Sequence, residues 1–209
     1  MAVLCSGRGT NLQAIIDAVR RGTIRARIAL VIADRLDAFA LERARKAAIT
    51  AVCVDPKSFT SRDRFEESLV KLLKAHHVSL ICLAGFMRVL SPEFVHRFPH
   101  RILNIHPALL PAFPGAHAVR DAMAWGAKVT GVTVHLVDEE VDHGPILLQE
   151  AVAIHPGEPE EELLERVHRV EHKLYPEAIR LMLEGQVRVQ GRTTSIGARK
   201  GKRRPKRAT

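Results

Sequence analysis

Two short stretches carry side chains suited to handling a carbonyl group. Asn104-Ile105-His106-Pro107 closes an apolar run, and Asp142-His143-Gly144-Pro145 follows a second one. Asn104 and His106 stand two residues apart, so on a pleated strand they point the same way. If the strands ending at these two points are neighbours, Asp142 reaches the imidazole from the next loop. A carboxylate beside His106 favours the imidazolium, which with the Asn104 amide supplies donors to a carbonyl oxygen gaining negative charge. The same carboxylate can accept or relay the proton that an attacking amine must lose.

A second motif, Ser6-Gly7-Arg8-Gly9-Thr10-Asn11, lies between the first predicted strand and the first predicted helix. Its glycines permit a tight turn, and the free N–H groups of a helix start can cradle a phosphate. A phosphomonoester is the expected guest. The dinucleotide fingerprint fails at its third glycine, which is Leu12, and no Gly-Lys-Ser/Thr follows. Asp34, at the end of the second strand, is the one feature that favours a dinucleotide. A purely structural turn would explain the glycines but not Thr10 and Asn11.

Eleven histidines invite a metal reading, with His106, His117, His135, Asp142 and His143 as candidate ligands. The spacing argues against it, because there is no His-Glu-x-x-His, no Cys-x-x-Cys and no ligand pair on one helix face. No metal is expected. Cys5, Cys53 and Cys82 are odd in number and each sits in an apolar run, which suits reduced, buried thiols.

The elements that must position these groups follow a βαβ rhythm over the first hundred residues. Strands are predicted at Ala2–Cys5, Ile28–Ala33, Ala51–Val54 and Leu80–Ala84, with helices at Asn11–Arg20, Ala38–Ala47 and Arg62–His76. The strands are nearly all apolar, as in an α/β protein whose parallel sheet is covered by helices. Such sheets bind ligands beyond the carboxyl ends of their strands. Met87-Arg88-Val89-Leu90, just past the fourth strand, either lines a slot for a flat aromatic ligand or simply connects to the Ser91–Phe98 helix.

The second half is built differently. Arg101–Ile105 is predicted as a strand, followed by a proline-rich loop from Pro107 to Pro114. Lys128–Val137 and Ile146–Ile154 are strands joined by the acidic turn Asp138–Gly144. A long helix begins near Glu160, with Leu163, Val167, Val170, Leu174, Ala178 and Leu181 as its apolar stripe and a kink expected at Pro176. Glu171 falls on its polar side, where it either holds a cationic amine or is solvated. A last strand spans Gln186–Gln190.

At 209 residues, 46% hydrophobic and 26% charged, the chain suits one globular domain with a substantial core. Residues 1–191 are read as that domain, with 1–100 as its phosphate-binding half and 101–191 as its catalytic half. The net charge of +9 is mostly terminal: eight of the 32 basic residues lie from Arg192 onward, leaving 24 against 23 acids. That tail, Gly191–Thr209, has no large apolar residue except Ile196 and is expected to be disordered. No run is long and apolar enough for a bilayer, and no leader precedes the first strand, so a cytoplasmic protein is expected.

Taken together, the motifs resemble the folate-dependent glycinamide ribonucleotide formyltransferase family. The resemblance runs from Met1 to about Arg192. It rests on Ser6 to Ile15, on Leu83-Ala84-Gly85-Phe86-Met87-Arg88-Val89-Leu90-Ser91-Pro92, on Asn104 to Pro111, and on Asp142 to Pro145. It implies a formyltransferase fold: a Rossmann-like, mostly parallel twisted sheet flanked by helices, with an antiparallel C-terminal part. Gly9, Thr10 and Asn11 are then expected to hold the ribonucleotide phosphate, and Asn104, His106 and Asp142 to form the catalytic trio. Folate is expected to meet Arg62, Met87 to Leu90 with Arg88 and Val89, Asn104, and Asp138 to Asp142 through Glu139, Glu140 and Val141. His168, Arg169, Val170 and Glu171 match the stretch that meets the substrate amine and ribose. The implied reaction moves a formyl group from 10-formyltetrahydrofolate, a co-substrate rather than a tightly bound cofactor, to the glycinamide amine. Two positions depart from the family's usual residues: Arg8 stands where asparagine is common, and His143 where glycine is common.

Two rivals are weighed. A formyltetrahydrofolate hydrolase, or a formyltransferase for another amine, would share the trio, but the phosphate loop argues against both, and a hydrolase would be expected to carry a regulatory domain ahead of the catalytic one. An RNA-binding protein would work through Arg199–Arg207. Trp125 and Tyr175 are the only residues of their kinds, so the body offers no aromatic stacking platform. The expected partners are small-molecule substrates, with nucleic acid limited to the basic tail and the chain a monomer or homodimer.

Overall fold

The computed structural model describes residues 1–197. Its main sheet has seven strands in the order β3-β2-β1-β4-β5-β6-β7. These are β1 (Ala2–Cys5), β2 (Leu30–Ala33), β3 (Ala51–Cys53), β4 (Ile81–Leu83), β5 (Ile102–His106), β6 (Val129–Leu136) and β7 (Ile146–Ala153). The first five strands pair in parallel, while β5 with β6 and β6 with β7 are antiparallel. This is the expected Rossmann-like sheet with its antiparallel extension, and the single sheet runs through both halves of the chain.

Strand alternation divides the core. Val3 and Cys5 of β1 face a cluster built with Leu12, Ile15 and Ile16 of α1 (Thr10–Arg20) and with Leu163, Val167, Tyr175 and Ala178 of α6 (Glu160–Leu183). Ala2 and Leu4 face the other side, against Phe65, Leu69 and Leu73 of α3 (Arg62–Ala75) and Phe94 of α4 (Pro92–His96). Both faces of β1 are therefore covered, which explains its unbroken apolar sequence. Beside β2, α2 (Phe39–Lys46) buries Ala40, Leu41 and Ala44.

Helix α6 runs without interruption through Pro176, and Glu160, Glu161 and Glu162 in its first turn complement the helix dipole. The phenol of Tyr175, fully buried, lies 2.8 Å from the Leu83 carbonyl and 3.0 Å from that of Leu103, tying α6 to β4 and β5. Burial pushes this phenol well above its ordinary pKa. Cys5 and Cys82 are buried free thiols raised to about 12 by desolvation, while Cys53 is half-buried.

Two elements go beyond the sequence expectations. Helix α5 (Ala118–Trp125) follows the proline-rich loop, and its buried Ala118, Val119 and Ala122 share one face at three- and four-residue steps. The expectation of disorder from Gly191 is corrected at its start: β8 (Val187–Gln190) turns through Gly191 and Arg192 into β9 (Thr193–Ile196), an antiparallel hairpin. Thr194 Oγ1 donates to the Ile146 carbonyl at 2.7 Å, which docks this hairpin on β7. The rest of the expected tail, 198–209, lies outside the described residues.

Candidate active site

On β5 and β6, Asn104 stands opposite His135 and His106 opposite Thr133, so all four side chains share one face of the sheet. The loop leaving β6 folds back over that face and delivers Asp142. His106 is 3% exposed. Its Nδ1 lies 3.3 Å from Asp142 Oδ2, and its Nε2 lies 2.8 Å from the Phe113 carbonyl. Acceptors on both nitrogens favour the imidazolium, but burial outweighs them and holds the His106 pKa below its ordinary value. The pull of Asp142 toward the imidazolium is present as expected, but it is the smaller effect. Desolvation keeps the ring ready to take up a proton when negative charge appears beside it.

Asn104 Nδ2 lies 3.1 Å from His135 Nε2 and donates to Asp142 Oδ1 at 3.3 Å. His135 Nδ1 is 2.9 Å from the Leu136 carbonyl, which only accepts; the network therefore assigns the ring proton to Nδ1 and leaves Nε2 to accept from Asn104. Burial alone would raise the Asp142 carboxyl. The carboxyl is nonetheless lowered, with the Gly115 N–H donating to Oδ2 at 2.8 Å. Asp142 remains a carboxylate, held in a left-handed backbone conformation at φ 53°. The structure thus brings the predicted trio together and adds His135, which the sequence had offered only as a possible metal ligand. Among the described residues, no group of three or more His, Cys, Asp or Glu is arranged to hold a metal ion.

Chemically, the cluster offers two N–H donors and a carboxylate around one point. Both donors are engaged: Asn104 with His135 and Asp142, His106 with Phe113. Receiving an oxyanion requires His106 Nε2 to exchange the Phe113 carbonyl for it. Phe113 is itself strained, at φ 53°.

The glycine loop lies at the switch point between β1 and β4, where successive crossovers leave in opposite directions. Gly9 has φ 69°, and a Cβ there would sit 2.8 Å from Ala40 Cβ, so only glycine fits. From α2, Ala40 N–H donates to the Gly7 carbonyl at 3.1 Å, and Arg43 Nε to that of Arg8 at 2.8 Å. The first helical bond is Gln13 N–H to the Gly9 carbonyl at 3.0 Å, so the N–H groups of Thr10, Asn11 and Leu12 precede any helical acceptor. No acidic residue occupies this first turn. An anion is therefore favoured here by backbone donors and dipole together.

One expectation changes: the Asn11 side chain points inward. Its Nδ2 donates to Glu171 Oε2 at 3.0 Å, leaving its backbone N–H as the group able to meet a phosphate. Glu171 is 5% exposed, so the solvated reading fails. Desolvation lifts its carboxyl to about 7, against the opposing pull of Asn11. Of the four residues at 168–171, His168 and Glu171 share a helix face three residues apart, while Arg169 is exposed and Val170 packs against the core. His168 is lowered by burial and then by the charge of Arg8.

The segments assigned by resemblance to folate are held from behind. Arg62 Nη2 donates to the Val89 carbonyl at 2.7 Å, and its Nε to Glu66 Oε1 at 3.1 Å. Buried Glu66 also accepts from the Ser91 N–H and hydroxyl. Arg88 Nε donates to Asp34 Oδ2 at 2.8 Å, which commits the acid that had favoured a dinucleotide. Met87 and Val89 are exposed, whereas Leu90 is buried. Across the site, Glu139, Glu140 and Val141 are exposed. Asp138 accepts from the Glu140 N–H at 3.2 Å and lies 2.8 Å from His143 Nδ1. Glu66 had no sequence signal beyond being an acid within a predicted helix.

A doubly wound sheet that continues antiparallel, with an asparagine, a histidine and an aspartate side by side there, offers donors and a carboxylate of the kind suited to an acyl-type carbon. The formyl transferase family model matches residues 1–179, and the chain belongs to that family. Glycinamide ribonucleotide transformylase 1 from Symbiobacterium toebii superposes with a TM-score of 0.92 at 51% identity, over 94% of this chain and 92% of that one. Phosphoribosylglycinamide formyltransferase of Escherichia coli (strain K12) is 40% identical over 189 residues, 90% of this chain and 89% of that protein. The trifunctional purine biosynthetic protein adenosine-3 of Drosophila pseudoobscura pseudoobscura is 47% identical over 190 residues, but the chain spans only 14% of its length.

Proposed function

We propose that this chain transfers the formyl group of 10-formyltetrahydrofolate to the amine of 5-phosphoribosylglycinamide, giving formylglycinamide ribonucleotide and tetrahydrofolate in purine biosynthesis. The observation that carries the reading is the convergence of Asn104, His106 and Asp142 on one face of β5 and β6. Likeness over nine-tenths of the E. coli formyltransferase supports it.

The phosphate sits on the backbone N–H groups after Gly9, with Thr10 and Asn11, and the glycinamide side extends past His168 toward Glu171. Formyl folate, a co-substrate consumed at each turnover, lies between Met87–Leu90 and Asp138–Asp142. The neutral amine attacks the formyl carbon, and the carbonyl electron pair moves to oxygen. Asn104 Nδ2 and His106 Nε2 donate to that oxyanion, and His106 takes up the proton the amine loses by way of Asp142 at its Nδ1, so the ring is charged only while the oxyanion lasts. The same proton then leaves the ring through Asp142, directly or by water, for the folate nitrogen. The carbon–nitrogen bond to folate then breaks as the carbonyl reforms, so protons balance without an outside acid. Residues 1–191 act as one catalytic unit on these small molecules, in the cytoplasm.

The test is the absorbance change of folate deformylation, recorded with purified protein and 10-formyltetrahydrofolate with and without the ribonucleotide. Signal that needs the ribonucleotide is the expected result. Equal signal without it would make the protein a hydrolase, and no signal in either case would point to another acceptor.

A further inference from the structure

The tip of the C-terminal hairpin reaches the loop that carries Asp142. Arg192 Nη2 donates to the His143 carbonyl at 2.6 Å, and Arg192 Nη1 lies against the ring, 2.7 Å from Nε2 and 3.0 Å from Nδ1. The same Nδ1 lies 2.8 Å from Asp138 Oδ2. The row Asp138, His143, Arg192 therefore closes the loop's two ends onto the hairpin.

Other contacts leave a role for this closure. The loop's exit is fixed at Gly144, where a Cβ would lie 1.9 Å from the Leu136 carbonyl oxygen. Its crest is exposed, with Val141 52% accessible. Between them Asp142 holds a left-handed conformation, which persists only where neighbours over-determine it. The residue next to it is His143, and the hairpin is independently anchored by Thr194 on Ile146.

We propose that Arg192 is a positioning residue for the folate side of the site: the β8–β9 hairpin latches the Asp138–Gly144 loop through His143 and so sets the resting geometry of Asp142. The inference rests on the functional reading above for its kinetic consequence, but not for its structural one. Arg192 touches no reacting atom. His143, in place of the family's usual glycine, supplies the ring that makes the latch.

The experiment compares the full chain with Arg192→Ala and Arg192→Lys in two readouts. Hydrogen exchange of the amides at 138–144 is expected to accelerate about tenfold in Arg192→Ala, the scale of one lost charge-assisted hydrogen bond at a partly exposed site. Exchange elsewhere in β5 and β6 should be unchanged, and Lys should restore part of the protection. In steady state, KM for the formyl folate should rise several-fold while KM for the ribonucleotide stays constant. Unchanged exchange at 138–144 would overturn the latch whatever the kinetics. Faster exchange with both KM values unchanged would overturn its role in positioning. If the unaltered chain transferred no formyl group, the functional reading would fail and the exchange result alone would decide the latch.

Discussion

The two ends of the site are built on opposite principles. At the proposed phosphate end the geometry is in the backbone: Gly9 fits against Ala40 only because it lacks a Cβ, and α2 holds the loop by two hydrogen bonds to its carbonyls. At the proposed carbonyl end it is in side chains, with Asn104, His106, His135 and Asp142 each depending on the others for orientation. A phosphate keeps its charge throughout the reaction and suits a fixed cradle. An oxyanion exists only transiently, and donors that exchange partners suit it. Substitutions should therefore separate cleanly into those that change binding at one end and those that change turnover at the other.

The largest effect is expected from Asp142→Asn, which keeps the shape but removes the charge that steadies His106. Turnover should fall about 10²- to 10⁴-fold with little change in ribonucleotide affinity by calorimetry. Asn104→Ala should lower turnover about 10²-fold or more through loss of an oxyanion donor, measured at saturating substrates. Loss of ribonucleotide binding in either variant would blur the comparison. Gly9→Ala combines a left-handed φ with a close contact on Ala40, so unfolding should show a loss of about 1–3 kcal/mol. Its KM for the ribonucleotide should rise while that for folate is spared.

The smallest expected effect is a pH dependence of stability from Glu171. Its carboxyl is raised by burial to about 7, so between the unfolded value and about 7 the folded state holds the proton more tightly than the unfolded chain. Stability should therefore fall as pH rises through that window, and the full penalty is present above it. Glu171→Gln removes the titration and keeps an acceptor for Asn11. It should be more stable than the parent at pH 8 by about 1–3 kcal/mol, and the difference should shrink toward pH 5 in denaturant melts. A constant difference across that range would mean Glu171 is not the group that titrates.

The difference between the two ends also explains what the sequence disclosed. The parallel half was legible because its strands are apolar on both faces and the glycine loop sits where a strand meets a helix. Asn104 and His106 were legible from their spacing alone. The position of Asp142 depended on an unproven strand pairing, which the β5–β6 register supplies. Three features were not readable because they depend on long-range burial. The lowered pKa of His106 comes from desolvation outweighing its acceptors. Asn11 turns from solvent to Glu171, 160 residues away in sequence. Arg192, which composition placed in a basic tail, docks on the Asp138–Gly144 loop through a hairpin whose second strand, Thr193–Ile196, has almost no apolar content.

The central claim is that His106 acts on the oxyanion rather than on binding, and single-turnover transfer with His106→Ala tests it most directly. With both substrates saturating, formyl appearance on the ribonucleotide amine should slow about 10³-fold relative to the parent while ribonucleotide affinity is retained. A rate within about threefold of the parent would contradict the account, since a donor that strengthens as charge develops is worth far more than that.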